Sequence, residues 1–540
     1  MAAAAGEAMV VSHSKIDFRR WEHLVISGPE ASEAALPRDS FAWCGNSIGY
    51  WAERRPGATA LTDATGAALT YRELDAALGA AQSALAEQGL QPGDRLLILC
   101  ENAIAAALSI FAAQRLRAWA VPLNARHAQR EIDAVIAHSG PRLIVTTDAV
   151  SPEAAAQGSR LGAFAVPAFA RFGASLTKGP APGAAEPLSQ DPRAQVAALI
   201  YTSGTTGEPK GVMLTHDNLN FIAGRSSEMR RLTPSDRIYA VLPVSHVFGL
   251  ASVLNGTLYQ GAQLDLVPRF DAEALARALA EDGITIFQGV PQMYGRLLGL
   301  AEQRGGLPAP SLRYISCGGA PLDPGLKARV EALWGLPLHN GYGLTETSPT
   351  VTTTQIEAPA ADDSTGPPLP DVELRIADPE GAVAPPGEVG EIQVRGRLVM
   401  KGYYRAPQQS AAVMTGDGYL RSGDLGRVDA RGHLYVVGRA KELIIRSGFN
   451  VYPPEVEGVL AAHPDVAVAA VLGRKTADGN EEVIAFLQPR PGRTIDLAAL
   501  GAHAAALLAP YKRPSGYRIM QELPTAATGK LLKHKLSDLL

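Results

Sequence analysis

The feature that most constrains the fold is an alternation of short apolar runs with longer helical patterns through most of the first 350 residues. Segments 71–89 and 271–283 place apolar residues along one helical face and end in glycine, as amphipathic helices do. Strands that alternate with such helices form parallel sheets covered by helices. Strands are predicted at 95–100, 142–147, 194–204, 237–243, 262–268, 284–291 and 312–319.

The pattern changes after Pro367, where short alternating segments are separated by tight turns that contain glycine. Such segments are typical of antiparallel β structure. They lie at 371–382, 390–396, 418–426 and 432–448. From about residue 440 a βαβ pattern returns, so we predict a large N-terminal body and a C-terminal lobe of about 100 residues. Two polar segments rich in glycine and proline, 173–193 and 358–370, predict loops.

Composition excludes several classes of protein. The 540 residues contain 50 Lys+Arg and 54 Asp+Glu, so there is no basic surface that would indicate a nucleic-acid or anionic-lipid partner. Only three cysteines are present, Cys44, Cys100 and Cys317, which is too few for a disulfide scaffold and gives no paired metal-ligand spacing. These totals predict a large globular protein and favour an enzyme.

Targeting and membrane signals are missing from the sequence. The N-terminus lacks a basic region followed by an apolar core, so we predict no secretory signal. The longest apolar stretch, 96–113, is interrupted by Glu101 and Asn102. A spanning helix needs about 20 apolar residues, so this stretch predicts a buried strand followed by a buried helix. A cytoplasmic location is expected.

The strongest local motif is YTSGTTGEPKG at residues 201–211, directly after an apolar strand. Glycine lets the backbone approach a ligand closely, and successive N–H groups and hydroxyls can surround phosphate oxygens. Lys210 adds a positive charge. The GK[ST] ending of a P-loop is absent, so a P-loop kinase or GTPase is disfavoured. We predict phosphate binding by Thr202, Ser203, Gly204, Thr205, Thr206, Gly207 and Lys210; a plain Ser/Thr/Gly turn is the alternative.

Four further motifs follow in the chain: GYGLTE at 341–346, SGDLG at 422–426, GRAKE at 438–442 and PTAATGK at 524–530. With residues 201–211, they resemble the motifs of the adenylate-forming superfamily, and in particular the acyl-CoA synthetase (AMP-dependent synthetase/ligase) family. One such match is weak, whereas five in the family's order are specific. The first 200 residues resemble the family only loosely, chiefly through LTYRELD at 69–75.

The resemblance implies an α/β fold: a large N-terminal body of helix-covered mixed sheets with a small β-barrel-like subdomain, and a small mobile α+β C-terminal domain. It divides the chain into an AMP-binding domain at 1–437 and a C-terminal domain at 438–540, with a hinge near Lys441. Lys530 would bridge the substrate carboxylate and the α-phosphate during adenylation. Rotation about Lys441 would then replace Lys530 with a face bearing Gly448, which opens a channel for the pantetheine of coenzyme A.

The resemblance also assigns a nucleotide site. Tyr342 would pack on adenine, Thr345 would contact the α-phosphate, and Glu346 would hold Mg²⁺ with the phosphates. Asp424 would accept the ribose hydroxyls, and Arg439 would reach the phosphate or ribose. A packed tyrosine, a solvated glutamate, a turn-capping aspartate and a surface arginine are the alternatives. The backbone beneath the nucleotide would come from Gly318, Gly319, Ala320, Gly341 and Gly343.

The acyl pocket is predicted from the segments 284–291, 316–319 and 341–349. Its residues would be His246, which resembles the family's aromatic gate, together with Gln288, Cys317, Gly318, Gly341 and Pro349. Cys317 is expected to be a small buried residue, not a nucleophile, because no histidine partner is implied. Gln288 could meet a polar atom of the acyl group. No Arg or Lys lies in the three segments, so a monocarboxylate is expected, not a diacid.

The resemblance therefore implies an ATP-dependent ligase that activates a medium-chain, fatty or aromatic acid as acyl-AMP and transfers it to coenzyme A. Lys530, Lys210, His246 and Lys441 would be its catalytic residues, and ATP, Mg²⁺ and coenzyme A its cofactors. Three alternatives stay open: loading of a carrier protein, light emission of the luciferase type, and a catalytically silent nucleotide-binding module. No nucleic-acid partner is expected, and a homodimer is left open.

Overall fold

The computed structural model describes residues 40–203, 209–447, 449–476, 480–525 and 531–540. Several residues of the predicted site lie outside the described residues: Gly204, Thr205, Thr206, Gly207, Gly448 and Lys530. The side chain of Ser203 is also outside the description.

The described residues form helices α1 (Asn46–Arg54), α2 (Tyr71–Glu87), α3 (Ile104–Arg115), α4 (Gln129–Ser139), α5 (Pro152–Arg160), α6 (Pro167–Ala170), α7 (His216–Met229), α8 (Gly256–Tyr259), α9 (Ala272–Glu281), α10 (Pro291–Arg304), α11 (Pro324–Trp334), α12 (Pro407–Ala412), α13 (Pro453–Ala461), α14 (Leu497–Leu507) and α15 (His534–Ser537). A π-helix at Phe248–Asn255 directly precedes α8.

The strands are β1 (Thr59–Asp63), β2 (Ala68–Thr70), β3 (Arg95–Cys100), β4 (Trp119–Asn124), β5 (Leu143–Thr146), β6 (Ser175–Lys178), β7 (Val196–Ser203), β8 (Pro209–Thr215), β9 (Arg237–Ala240), β10 (Gln263–Leu266), β11 (Ile286–Gly289), β12 (Tyr314–Cys317), β13 (Leu338–Gly343), β14 (Thr350–Thr353), β15 (Val372–Ala377), β16 (Gly390–Gly396), β17 (Gly402–Tyr403), β18 (Leu420–Val428), β19 (Leu434–Arg439), β20 (Ile444–Arg446), β21 (Phe449–Val451), β22 (Val466–Lys475), β23 (Glu481–Pro489) and β24 (Gly516–Ile519).

Two large mixed sheets form the N-terminal body. One has the order β14-β13-β12-β11-β9-β10-β1-β2, and the other has the order β17-β8-β7-β4-β3-β5-β6. Their inner strands are largely parallel, whereas β2, β6, β14 and β17 pair antiparallel at the edges. The predicted α/β architecture of mixed sheets is therefore confirmed.

The predicted buried strand and helix at 96–113 correspond to β3 and α3. Every residue of β3 is buried between its parallel neighbours β4 and β5. In α3, residues 104–114 are all buried, which explains a helix that is apolar on all sides. This stretch is thus a core element of the body, and none of the described helices is long and apolar enough to span a membrane.

The predicted amphipathic helix at 71–89 corresponds to α2, which begins with a capping box. The Thr70 hydroxyl accepts from the Glu73 backbone N–H, and the Glu73 carboxylate accepts from that of Thr70. Its buried face includes Leu74, Leu78 and Leu85. The helix ends at Glu87, and Gly89 follows with a φ of 91°, in agreement with the predicted glycine end.

The antiparallel structure predicted after Pro367 is a four-stranded sheet with the order β15-β16-β18-β19. The predicted βαβ pattern near the C-terminus is β23, α14 and β24, with the two strands parallel. Buried residues between Ile444 and Leu536 form hydrophobic clusters that are separate from the core of the body.

One predicted loop is partly wrong. Within 173–193, residues Ser175–Lys178 form β6, which pairs antiparallel with β5. The sequence SLTK has weak strand character, so the backbone hydrogen bonds offered by the edge of β5 decide its conformation. The second predicted loop, 358–370, contains neither helix nor strand.

Candidate active site

One cleft of about 3100 Å³ collects the predicted site residues. The carboxyl ends of β11 and β12 lie in its wall, which is where open α/β sheets place their ligands. The predicted residues that line it are Thr202, Lys210, His246, Gln288, Cys317, Gly318, Gly319, Ala320, Gly341, Tyr342, Gly343, Thr345, Glu346, Pro349, Asp424, Arg439 and Lys441. Residues separated by more than 200 positions in sequence therefore share one solvent space.

Asp424 is a buried carboxylate oriented by two donors. The Tyr342 hydroxyl donates to Asp424 Oδ2 at 2.8 Å, and Arg439 Nε lies 3.1 Å from Asp424 Oδ1. The register of β18 and β19 brings Asp424 and Arg439 opposite each other. Burial, together with the nearby charge of Asp424, raises the pKa of Tyr342, so this phenol stays protonated and remains a donor. The carboxylate is thus held in a fixed orientation within the cleft.

Tyr342 lies in β13, which turns into β14 within the cleft wall. A Cβ atom at Gly343 would collide with the carbonyl oxygen of Pro349, so this position requires glycine. Thr345 and Glu346 follow Tyr342 within four residues, in a short 3-10 turn, and line the same cleft.

Glu346 accepts a hydrogen bond from the Tyr403 hydroxyl at Oε1, at 2.8 Å. Lys210 Nζ lies 5.4 Å from the centroid of the Tyr403 ring. Strand β17 pairs with β8, so that Tyr403 lies opposite Val212, close to the end of the phosphate-loop motif. Tyr403 is a site residue that the sequence motifs did not reveal, because it belongs to a two-residue strand outside them.

The donor set around Glu346 fits a magnesium ion held mainly by its substrate. Within the described ranges, no group of three or more His, Cys, Asp or Glu side chains could hold a metal ion. Mg²⁺ commonly uses one or two carboxylates, with substrate phosphates and water completing its shell. Glu346 supplies one such carboxylate, and Lys210 lies against the same tyrosine ring.

Lys441 lies in a 3-10 turn, Ala440–Glu442, that follows β19. Burial lowers the pKa of Lys441, and the positive charges of Arg439 and Lys210 lower it further. Lys210, Arg439 and Lys441 thus line one cleft and repel one another. Their positive charges make the cleft complementary to a polyanion.

The predicted acyl end of the cleft is formed by the end of β11, the end of β12 and the π-helix. His246 precedes the π-helix, and its Nδ1 accepts from the Phe248 backbone N–H at 3.3 Å. Gln288 is 2% exposed and lies opposite Ser316 of β12. Cys317 is buried, and burial raises the pKa of its thiol, as expected for a packing residue.

Arg230 lines the same cleft and was missed by the sequence analysis. It follows the last residue of α7 and is 7% exposed, and its Nη1 donates to the Ser252 carbonyl oxygen at 2.7 Å. Arg230 lies outside the three predicted lining segments. An arginine beside Arg231 at a helix end gave no sequence signal that it faces a cavity.

Comparison with known proteins places these features in context. The family model described as AMP-binding enzyme matches residues 49–404, and the model described as AMP-binding enzyme C-terminal domain matches 455–530. A feruloyl-CoA synthase of Amycolatopsis sp is 36% identical over 90% of this chain and 97% of that protein. A sulfoacetate–CoA ligase of Cupriavidus necator is 34% identical over 88% of this chain and 93% of its own.

Among solved structures, the chain is similar to O-succinylbenzoate coenzyme A synthetase from Bacillus subtilis in complex with ATP and magnesium ion. The TM-score is 0.79 at 31% identity, and the match covers 91% of this chain and 99% of that one.

Proposed function

The chain belongs to the AMP-binding enzyme family, and on this premise we propose that it is an AMP-forming carboxylate–CoA ligase. It activates a carboxylic acid with ATP as acyl-AMP and transfers the acyl group to coenzyme A. The main observation is the single cleft in which Glu346, Asp424 and three cations meet the acyl end of the sheet.

A carboxylate is a poor acyl donor because its leaving group would be oxide. In the first step a carboxylate oxygen attacks the α-phosphorus of ATP, and the bond to pyrophosphate breaks. In the second step the thiol of coenzyme A attacks the acyl carbonyl, the thiol proton is lost, and AMP leaves. No protein nucleophile is needed, which agrees with a buried, protonated Cys317.

The positively and negatively charged residues of the cleft have different roles in these two steps. Lys210, Arg439 and Lys441 attract the phosphates and stabilise negative charge that develops at the α-phosphate. Glu346 would hold Mg²⁺, which when bound neutralises phosphate charge. The oriented carboxylate of Asp424 accepts the ribose hydroxyls, and Tyr342 packs against the adenine.

The chain uses two arrangements of a domain at 1–437 and a domain at 438–540. Lys530 serves adenylation, and rotation about Lys441 brings the face bearing Gly448 to the cleft for thioester formation. The separate hydrophobic clusters between Ile444 and Leu536 support a lobe able to move as a unit. The homodimer and the cytoplasmic location stay predictions from the sequence.

A panel of carboxylic acids tests this function. Each acid is incubated with the full chain, Mg²⁺, ATP and coenzyme A, and AMP and acyl-CoA thioester are measured in the same sample. We expect equal amounts of both products from the accepted acids. A Glu346→Gln variant should lose both, by about 100-fold, because charge stabilisation at a transition state is typically worth that much.

Other outcomes identify the alternatives. Acid-dependent release of pyrophosphate without acyl-CoA, together with thiolation of an added holo-carrier protein, would assign a carrier-loading ligase. The lack of pyrophosphate exchange with every acid would contradict the proposed function and favour a silent nucleotide-binding module.

A further inference from the structure

The acyl end of the cleft has a polar wall, which we call the distal pocket: Ser226, Arg230, Gln288, Tyr314 and Ser316. In the register of β11 and β12, Gln288 lies opposite Ser316, and Ile286 lies opposite Tyr314. Because strand side chains alternate, Gln288, Tyr314 and Ser316 point to one face of the sheet. Arg230 reaches that face from the end of α7.

Arg230 is a buried cation without an anionic partner. Its contacts are the Ser252 carbonyl oxygen at 2.7 Å and the phenol of Tyr314. Over the described ranges it makes no ion pair, whereas its neighbours Arg225 and Arg231 pair with Asp371 and Glu357. A guanidinium has five N–H donors, and a desolvated charge is costly unless it is paired. Burial accordingly lowers the pKa of Arg230, although an arginine stays charged.

Gln288 provides an independent second observation. Its side chain is 2% exposed, and Nε2 has no hydrogen-bond acceptor in the part of the chain that the structure describes. A buried amide N–H without an acceptor costs free energy, so native structures rarely leave one unpaired. Gln288 and Arg230 both carry N–H donors and line the same cavity. A ligand atom that satisfies them must be an acceptor, and a negative charge suits Arg230 best.

We propose that the acid substrate carries a second anionic oxygen group, a carboxylate or a sulfonate, remote from the reacting carboxylate, and that Arg230 and Gln288 bind this group. The proposal rests on the proposed ligase function and specifies its substrate class. It replaces the sequence-based expectation of a monocarboxylate, which considered only the strand ends. The folded chain adds a cation to the same cleft from α7.

Pairs of acids that differ only at the distal end test the proposal. Suitable pairs are succinate and butyrate, adipate and hexanoate, and terephthalate and 4-methylbenzoate; 4-sulfobenzoate distinguishes sulfonate from carboxylate. For each acid, kcat/KM is measured from AMP release by the full chain with Mg²⁺, ATP and coenzyme A. We expect the anionic member to be preferred by at least about 10-fold in the pair whose length fits, since a hydrogen bond to a charged group is worth about that much.

The variant Arg230→Met tests the residue. It should lower kcat/KM for the anionic acid by about 10- to 100-fold and leave its neutral partner unchanged or improved. Arg225→Met is the matched control: it removes a buried arginine of α7, the helix that Arg230 follows, which is already paired and lies outside the cleft wall. That control should keep the wild-type preference.

Several results would overturn the proposal. One is a wild-type preference for the neutral acid in every pair. Another is an equal loss for both members of a pair in Arg230→Met, which would indicate a structural role. If Arg230→Met does not fold, Gln288→Leu decides: the ratio of anionic to neutral acid must fall in it, and an unchanged ratio overturns the proposal. AMP release with neutral acids alone would contradict the substrate class but keep the ligase function, whereas no release with any acid would contradict both.

Discussion

A buried histidine that stays uncharged makes the stability of this protein depend on pH. His216, the first residue of α7, is fully buried; its Nδ1 accepts from the Cys44 backbone N–H at 3.2 Å, and the Trp43 ring packs edge-on against it. Burial lowers the pKa of His216 to about 3. The start of a helix also disfavours a positive charge. This histidine therefore stays neutral in the folded protein at pH values where an unfolded chain protonates it.

We predict that acidification destabilises the protein through His216. Between pH 6.5 and 3 the unfolded state binds a proton that the folded state excludes, so stability falls as the pH falls through this window. From pH 7 to pH 5 the loss from this residue is about 2 kcal/mol. Urea unfolding at both pH values measures it.

The variant His216→Asn isolates this contribution. Asparagine retains an acceptor near Nδ1 but does not titrate, so the difference between pH 7 and pH 5 should shrink by about 2 kcal/mol. His534→Asn, at an exposed histidine of α15, is the control and should change the difference far less. An identical pH dependence in His216→Asn and the wild type would contradict the assignment.

Residues within motifs were predictable, and residues delivered by pairing were not. Tyr342, Glu346 and Asp424 were identified because their motifs occur in a family order, and the structure brings all three to one cleft. Tyr403 and Arg230 reach the same cleft through the pairing of β17 with β8 and through the end of α7. The sequence around Tyr403 and Arg230 contains no motif, because contacts between distant segments place their side chains at the cleft.

The same distinction holds for whole elements. Core strands such as β3 and β5 were predictable because burial on both faces requires largely continuous apolar runs. The predicted strand 237–243 ends earlier, since β9 stops at Ala240 and residues 242 and 243 line the cleft. Edge strands such as β6 depend on the hydrogen bonds of a neighbour, which a local sequence window does not contain.

In the C-terminal lobe, Lys533 joins three elements. Its Nζ lies 3.1 Å from Glu442 Oε2 in the turn that bears Lys441, and 2.7 Å from Glu457 Oε1 in α13. Lys533 itself immediately precedes α15. Burial raises the pKa of Glu457 despite the nearby lysine charge, so this carboxylate depends on Lys533 for its charged form. The cluster ties the chain end to the predicted hinge.

We predict that Lys533→Met destabilises the lobe by about 3 kcal/mol, because it leaves the largely buried Glu457 carboxylate without its counter-charge. Hydrogen exchange of amides in β22 and β23 measures the loss. Lys535→Met, at an exposed lysine of α15, is the matched control and should change stability by less than about 0.5 kcal/mol. Adding Glu457→Gln to Lys533→Met should recover part of the loss; equal exchange in Lys533→Met and the wild type would contradict the cluster's role.

At the scale of the whole molecule, the cleft receives side chains from the body and from the segment that leads into the C-terminal lobe. The charges of Lys210 and Arg439 act on Lys441 there, although Lys210 is far from the other two in sequence. The order of motifs predicted that these residues act together. The sequence could not provide their spatial arrangement, because it depends on how sheets and lobe pack.

Two half-reactions that share one cleft can be separated by substitution. Lys530 lies outside the described residues, and its adenylation role rests on the PTAATGK motif at 524–530. We predict that Lys530→Ala slows acid-dependent pyrophosphate exchange by about 100-fold or more, because it removes a cation from a developing negative charge. Thioester formation from supplied acyl-adenylate and coenzyme A should stay largely intact, because that step has no pyrophosphate leaving group to stabilise.

Matched variants distinguish this account from a general loss of activity. Lys535→Ala removes a nearby lysine of the same chain end and should leave both half-reactions unchanged. Ala440→Pro restricts φ in the turn that bears the predicted hinge and keeps the Lys441 charge, so it should slow thioester formation more than pyrophosphate exchange, the reverse of Lys530→Ala. Single-turnover measurements of both steps decide the matter: if Lys530→Ala impairs the two half-reactions equally, a model with two domain arrangements is wrong, because one fixed site would then serve both steps.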